Sequence, residues 1–127
     1  MRSTRGKVGT VALLTLSTMF LSALPAMASS VTETVADGLD RAYASNLYSP
    51  QNGYEAVIKL CDEEPDGDTV YGEFRTHNGT LYTLTDVAWG DCAWGYPKGE
   101  GNQIYAFRIR EDGDPWSAWK SISKAPR

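Results

Sequence analysis

The segment VYGEFRTHNGTLYTLTDV, residues 70–87, decides the fold class because two strand-like runs flank a turn dipeptide. Asn78-Gly79 is a strong short-range hairpin signal, since both residue types tolerate the positive φ that a tight hairpin turn requires. If Asn78-Gly79 forms a two-residue turn, the register places Arg75 across from Tyr82. We therefore expect an antiparallel β-hairpin over this segment.

Three further segments predict strands outside this hairpin. Residues 54–60 and 103–110 alternate in polarity, and residues 117–123 suit a short closing strand. Between them, residues 90–101 are rich in Gly and Pro and predict a loop anchored at Cys92. Residues 54–127 are thus predicted to form a mainly β domain, a small antiparallel β-sandwich or barrel of about five strands with one disulfide.

Residues 29–53 predict either a short N-terminal helix or a flexible arm. Apolar residues recur at four-residue spacing from Val31 to Leu47, and Ser30 with Glu33 fits a capping box. Gly38 interrupts this pattern and weakens the helix. Both alternatives stay open at this point.

Residues 1–28 have the features of a signal peptide. Basic residues precede an apolar, uncharged run at residues 8–24, and Ala26-Met27-Ala28 supplies the small-x-small pattern that signal peptidase accepts. The apolar run is shorter than the ~20 residues that span a bilayer. We expect cleavage after Ala28, secretion, and no membrane association of the mature protein.

The mature chain is acidic. All 16 acidic residues follow Ala28, whereas three of the 12 basic residues precede it, so the predicted mature charge is 9 − 16 = −7. Such a surface disfavours nucleic acid, because the phosphate backbone is itself strongly negative. The predicted partner is an extracellular protein or a polysaccharide.

The chain has two cysteines, Cys61 and Cys92. In the oxidising compartment that a signal peptide implies, such a pair predicts a disulfide. Closing a loop of this length stabilises a fold by on the order of 3–4 kcal/mol in the chain-entropy model. We interpret the bridge as structural.

An acidic segment follows Cys61 and has the ligand spacing of a calcium-binding EF-hand. Positions 1, 3, 5, 6 and 12 of a twelve-residue loop are Asp62, Glu64, Asp66, Gly67 and Glu73. An EF-hand requires a helix on each side of the loop, however, and both flanking segments here resemble strands. The spacing therefore does not predict an EF-hand.

Two interpretations of the acidic segment remain. Asp62, Glu64, Asp66 and Asp68 offer oxygens for a calcium site in a β-loop, since calcium accepts flexible geometry. Alternatively, residues 65–68 form a turn that uses Asp and Gly for backbone reasons. Residues 111–114 repeat the Asp-Gly-Asp pattern, and the calcium interpretation gains weight if the two acidic turns meet. No other cofactor is predicted.

The tryptophans allow a structural and a functional interpretation. Trp89 and Trp94 flank Cys92, which suits indoles packed against a disulfide. Trp116 and Trp119 follow the strand that carries Arg108 and Arg110, which suits a ladder of stacked arginines and indoles. The functional alternative is an exposed face that binds a sugar or a protein, formed by Trp89, Trp94, Tyr96, Trp116 and Trp119.

Two stretches resemble known families. DPWSAWKS, residues 114–121, resembles the Trp-Ser-x-Trp-Ser signature of cytokine-receptor fibronectin-type domains, which implies strand arginines stacked between the two indoles. CDEEPDG, VYGEF and the W-S-x-W ending together resemble small secreted actinobacterial proteins of unknown function, over residues 58–122. That resemblance implies an exported β-domain and no assigned activity.

Catalytic motifs are scarce. His77 is the only histidine, and it lies beside the hairpin turn, where an exposed or capping role is expected. The sequence favours a secreted, non-enzymatic interaction protein, inhibitor-like or envelope-associated, that presents the constrained loop 93–101. The alternatives are a carbohydrate-binding module that uses exposed tryptophans and a small secreted hydrolase centred on His77.

Overall fold

The computed structural model describes residues 27–86 and 88–127, and these form a mainly β structure. Two antiparallel sheets of four strands each pack face to face. Within the described ranges, no helix is long and apolar enough to cross a membrane. Residues 1–26 of the predicted signal peptide lie outside the described residues.

Sheet A combines the first three strands of the chain with one later strand. In spatial order its strands are β1 (Ser29–Asp37), β2 (Asp40–Ser49), β3 (Gly53–Cys61) and β6 (Cys92–Gly95). Sheet B has the spatial order β5 (Leu81–Asp86), β4 (Val70–Thr76), β7 (Ile104–Glu111) and β8 (Lys120–Ser121). A short 3-10 turn, Glu100–Asn102, precedes β7.

The predicted β-sandwich with one disulfide is confirmed, but it has three strands beyond the five expected. One of them is β6, inside the segment 90–101 that was predicted to be a loop. Gly95 allows this pairing, because a Cβ there would lie only 2.9 Å from Cγ1 of Ile58 on β3. A Gly-rich sequence here reflects close strand packing instead of a loop.

The expectation of a helix or arm over residues 29–53 was wrong. This segment forms the hairpin β1–β2, with Asp37 paired to Asp40 across a two-residue turn. Gly38 has φ of +61°, the conformation that the first central residue of a type II′ turn requires. Apolar residues four apart also share one face of a strand, so the spacing did not discriminate between helix and strand.

The hairpin at residues 70–87 is confirmed as β4–β5, but its register differs by one residue from the expected one. Arg75 pairs with Leu81 instead of Tyr82. The loop contains three residues, His77 to Gly79, because the Thr76 N–H donates to the Thr80 carbonyl at 2.9 Å. Gly79 at φ +90° completes a three-residue hairpin loop.

The core lies between the two sheets and joins large residues of sheet B to small ones of β2. Phe74 and Phe107 stack with ring centroids 5.7 Å apart, over Ala42 and Ala44 of β2 in the same core. Buried Asn46 links the sheets: its Nδ2 donates to the Ile104 carbonyl at 2.7 Å. Its Oδ1 accepts the Ile104 N–H at 2.8 Å. These two hydrogen bonds hold the sheets together. Side chains outside the core lie on the outer faces of both sheets.

Candidate functional sites

The predicted disulfide joins Cys61 to Cys92, which lie directly opposite each other on β3 and β6. Both cysteines of the chain are used in it. Disulfides of this kind form and persist in oxidising compartments, so the bridge indicates an extracellular or periplasmic setting. It also ties the short edge strand β6 to the sheet.

The outer face of sheet B carries a stack of alternating aromatic rings and guanidinium groups, here called the arginine ladder. Its members in order are Tyr71, Arg110, Trp116, Arg108, Trp119 and Arg75. Every guanidinium carbon lies between 4.3 and 5.1 Å from the ring centroids it faces. The ladder predicted for Trp116 and Trp119 is confirmed.

Glu73 belongs to the arginine ladder and not to the acidic segment. Its Oε1 lies 2.6 Å from Nη2 of Arg108 and also accepts from Nε at 2.8 Å. Two donors of one planar guanidinium thus hold one carboxylate oxygen. The structure therefore does not bring Glu73 to the other proposed calcium ligands.

The outer face of sheet A carries a second aromatic cluster, here called the outer aromatic face: Tyr43, Lys59, Trp94 and Tyr96. These residues lie in adjacent register, with Tyr43 opposite Lys59 and Lys59 opposite Trp94. The Lys59 Nζ is 4.3 Å from the Tyr43 ring centroid and 4.9 Å from that of Trp94. A single cation is thus shared by two rings.

Trp94 and Tyr96 are the open part of this face. Their ring planes are nearly parallel, at 4°, with centroids 6.4 Å apart. The side chains are 51% and 62% exposed, respectively. Because β6 is an edge strand, no further strand of the sheet covers them.

Trp89 is also exposed, at 64%. It lies in the short segment before β6, where the Gly90 N–H donates to the Asp62 carbonyl at 2.8 Å. Both indoles that flank Cys92 are therefore more than half exposed to solvent. Of the five predicted aromatic candidates, Trp89, Trp94 and Tyr96 are accessible.

An open groove of about 410 Å³ borders the outer aromatic face and is lined by Leu39, Arg41, Tyr43 and Glu63.

The segment 93–101, expected to project as an inhibitory loop, instead runs along β3. The Ala56 N–H donates to the Pro97 carbonyl at 2.8 Å, and Lys98 forms a bridge with Glu55.

One end of the sandwich gathers eight carboxylates, here called the acidic end: Asp37, Asp40, Asp62, Glu64, Asp66, Asp68, Glu111 and Asp114. Glu111 is central, since three groups share it. It places carboxylate oxygens within 4.8 Å of those of Asp40 and Glu64, of Asp66 and Asp68, and of Asp37 and Asp114. The two acidic turns therefore meet.

Two of these carboxylates are buried and only partly satisfied. Asp40 is 0% exposed, and its Oδ1 accepts the Glu63 N–H at 2.8 Å. Asp62 is 1% exposed, and its Oδ1 accepts the Glu64 N–H at 3.1 Å. The Oδ2 atoms of both residues have no hydrogen-bond partner among the described residues. Buried carboxylate oxygens in that state are unusual, because desolvation without a partner is unfavourable.

The electrostatics of the acidic end follow from this crowding. The hydrogen bond that protonated Glu111 donates to Asp66, with burial and the nearby carboxylates, raises the pKa of Glu111 to about 8. Burial, with repulsion from Asp62 and Glu64, raises the pKa of Asp40 to about 6. The three ion pairs that the structure contains within the described ranges all lie elsewhere, at Glu73, Glu33 and Glu100.

The sequence pattern predicted the carboxylates of the two acidic turns but not Asp37 and Asp40. The turn at residues 65–68 is present, with Gly67 at φ +74° and the Asp68 N–H donating to Asp66 Oδ1 at 3.0 Å. Asp37 and Asp40 were missed because a helix was expected there. The Asp-Gly dipeptide at residues 37–38, a hairpin signal, was the feature that would have placed them.

His77 is exposed and is the first residue of the hairpin loop. Its ring centroid lies 5.6 Å from that of Tyr105. Burial and the nearby Lys124 charge lower the pKa of the imidazole. Its surroundings are thus an aromatic ring and a cation, which do not match the carboxylate-oriented base of a hydrolytic triad.

No protein-family model matches the chain, and no curated protein or solved structure shows significant similarity to it. The two aromatic faces and the acidic end are therefore the features of the molecule that bear on its function.

Proposed function

We propose that the protein is a secreted, non-enzymatic binding domain that holds a polysaccharide on the outer aromatic face. The observation that carries the proposal is the pair of exposed, nearly parallel rings of Trp94, on edge strand β6, and Tyr96, just after that strand. Parallel aromatic faces offer apolar surface against which the C–H face of a sugar ring packs.

The arrangement of these rings favours an extended ligand. A cation packs over the face of a ring, so Lys59 on β3 indicates that the plane of Trp94 faces the neighbouring strand. The 6.4 Å between ring centroids is close to the ~6.6 Å repeat of alternate residues along a strand. Trp94 and Tyr96 are thus neighbours with nearly parallel ring planes at the edge of the sheet.

Preorganisation supports the same role. Lys59 restrains Trp94 from one side, the disulfide fixes β6 next to it, and Gly95, which lies between Trp94 and Tyr96 along the chain, packs against Ile58. A rigid aromatic surface loses little conformational entropy when a ligand binds. The predicted mature charge of −7 favours a neutral polysaccharide over an anionic one.

The test is depletion of the oxidised mature protein by insoluble chitin, cellulose and bacterial cell wall. We expect one of these polymers to deplete the wild-type protein and to shift its Trp emission. The double substitution Trp94→Ala/Tyr96→Ala abolishes depletion, whereas the control Tyr105→Ala, an exposed aromatic on sheet B, leaves it unchanged. Equal depletion of both variants would place the sugar elsewhere and refute the proposal.

A second candidate function, binding of an extracellular protein, is favoured by the edge position of β6. The strand pairs with β3 on one side only, so its other side offers backbone groups to an extended peptide. Failure of every polymer to deplete the protein, combined with capture of a partner that Trp94→Ala/Tyr96→Ala abolishes, would support this alternative.

A further inference from the structure

We infer that the acidic end is a calcium site in which Asp40, Glu64 and Glu111 bind one Ca²⁺. These three residues come from β2, from the β3–β4 connection and from the end of β7. Their carboxylate oxygens already lie within 4.8 Å of one another. The inference is independent of the proposed polysaccharide binding, because none of its ligands belongs to the outer aromatic face.

A buried oxygen without a partner is the observation that separates this cluster from an acidic surface patch. Asp40 is fully buried, and one of its carboxylate oxygens is unpaired among the described residues while the other accepts a backbone N–H. A carboxylate oriented by the backbone with its second oxygen free has the geometry of a monodentate metal ligand. Glu111, likewise buried, adds a second carboxylate to the same point.

The backbone around Glu64 leaves space for its carboxylate. Gly38 adopts φ +61°, and a Cβ at that position would collide with Oε1 of Glu64. The Leu39 N–H donates to the same oxygen at 3.1 Å. The β1–β2 turn therefore holds the Glu64 side chain over the cluster and leaves its other oxygen available.

The ligand chemistry selects calcium among divalent cations. All candidate ligands are carboxylate oxygens. Zinc and copper prefer sites with nitrogen or sulfur ligands, so this site does not favour them. Four further carboxylates have an oxygen within 4.8 Å of one of Glu111 and add negative charge beside the site: Asp37, Asp66, Asp68 and Asp114. Calcium takes six to eight oxygens in flexible geometry, whereas magnesium requires a tight octahedron and retains its waters.

A cation also explains why so many carboxylates occur together without a basic partner. No Lys or Arg among the described residues forms an ion pair with these carboxylates, so their mutual repulsion is unopposed unless a divalent ion binds at the cluster. The site joins sheet A to sheet B at one end of the sandwich. The backbone carbonyl of the neighbouring Asp62 accepts the Gly90 N–H, so the acidic end lies next to the segment that carries Trp89.

The test is calorimetric titration of the chelator-treated mature protein with CaCl₂ and, separately, with MgCl₂, alongside thermal unfolding in each ion. We expect one Ca²⁺ per chain with a Kd of about 10⁻⁴ to 10⁻³ M, the range of extracellular calcium modules. We also expect a Ca²⁺-dependent rise in Tm and a change in Trp emission. Magnesium at equal concentration produces a smaller rise in Tm.

The variant Glu111→Gln keeps the shape of the side chain and removes its charge. We expect at least tenfold weaker calcium binding and, in chelator, a Tm at or above that of the wild type, because repulsion is relieved. The control Glu100→Gln removes an exposed carboxylate from the Glu100–Asn102 turn and leaves calcium binding unchanged. Wild-type-like binding by Glu111→Gln, an equal response to magnesium, or no Tm shift of the folded wild type at 10 mM Ca²⁺ (about ten times the weakest expected Kd) would overturn the inference.

Discussion

The outer faces of the two sheets use the same chemistry in different proportions. On sheet B, three arginines alternate with three aromatic rings, so almost every ring face has a cation against it. On sheet A, one lysine serves two rings, and Trp94 and Tyr96 keep more than half of their surface exposed. The number of cations thus distinguishes a closed aromatic stack from an open one.

This difference separates a stabilising role from a binding role. A ring enclosed between guanidinium groups contributes cation–π and packing energy to the fold. A ring with a free face contributes little to the fold but offers surface to a ligand, and large exposed aromatic surfaces on soluble proteins commonly mark binding sites. Substitutions on the two faces should therefore affect different measurements.

The largest expected effect comes from removing the bridge. The double substitution Cys61→Ala/Cys92→Ala should lower the free energy of unfolding by on the order of 3–4 kcal/mol, because a closed loop of the unfolded chain is released. Urea denaturation measures this change. Because β6 depends on the bridge, polysaccharide depletion should also fall at temperatures where the arginine ladder, reported by near-UV circular dichroism, is still intact.

The acidic end gives the next effect, through pH. Folding raises the pKa of Asp40 to about 6 and that of Glu111 to about 8, so both carboxyls favour the folded state when protonated. In chelator, this stabilisation is fully present below the unfolded pKa values of about 4 and is lost as pH rises through 6 towards 8. Urea midpoints measured from pH 4 to 8 test the sign, and a rising midpoint would contradict it.

Truncation within the arginine ladder should destabilise the fold by a similar or smaller amount. Trp116→Ala removes contacts with both Arg108 and Arg110 and should reduce the free energy of unfolding by about 1–2 kcal/mol. Denaturant unfolding measures the loss. Polysaccharide depletion below the unfolding transition should remain, since the outer aromatic face lies on the other sheet.

The smallest effect on stability is expected on sheet A. Trp94→Ala removes one exposed contact with Lys59 and should change the free energy of unfolding by less than about 1 kcal/mol. The Tm should therefore stay near that of the wild type. A loss of stability as large as that of Trp116→Ala would mean that both faces are structural.

The sequence predicted the parts of the fold that depend on local chemistry. Asn78-Gly79 located the β4–β5 hairpin, and the spacing of Trp116 and Trp119 after an Arg-bearing strand located the ladder. The register was missed because a three-residue loop and a two-residue turn share the same Asn-Gly signal. That choice depends on the pairing of whole strands.

The parts that the sequence did not predict depend on contacts between distant segments. Residues 31–47 satisfy helix and strand periodicity alike, and apart from the Asp-Gly turn signal at residues 37–38, it is pairing between β1, β2 and β3 that selects the strand. The acidic end needs Asp37, Asp40 and Glu111 to meet, and they meet only once the two sheets pack. Exposure of Trp94 likewise follows from the edge position of β6, which is a property of strand order.

The most direct test of the account compares two tryptophan substitutions in one pair of assays. Trp94→Ala and Trp119→Ala are each measured for Tm and for depletion by the polysaccharide that retains the wild-type protein. The account predicts that Trp94→Ala keeps the wild-type Tm and loses depletion, whereas Trp119→Ala lowers Tm and keeps depletion below its transition. Loss of depletion in Trp119→Ala with retention in Trp94→Ala would contradict the division between an open and a closed face.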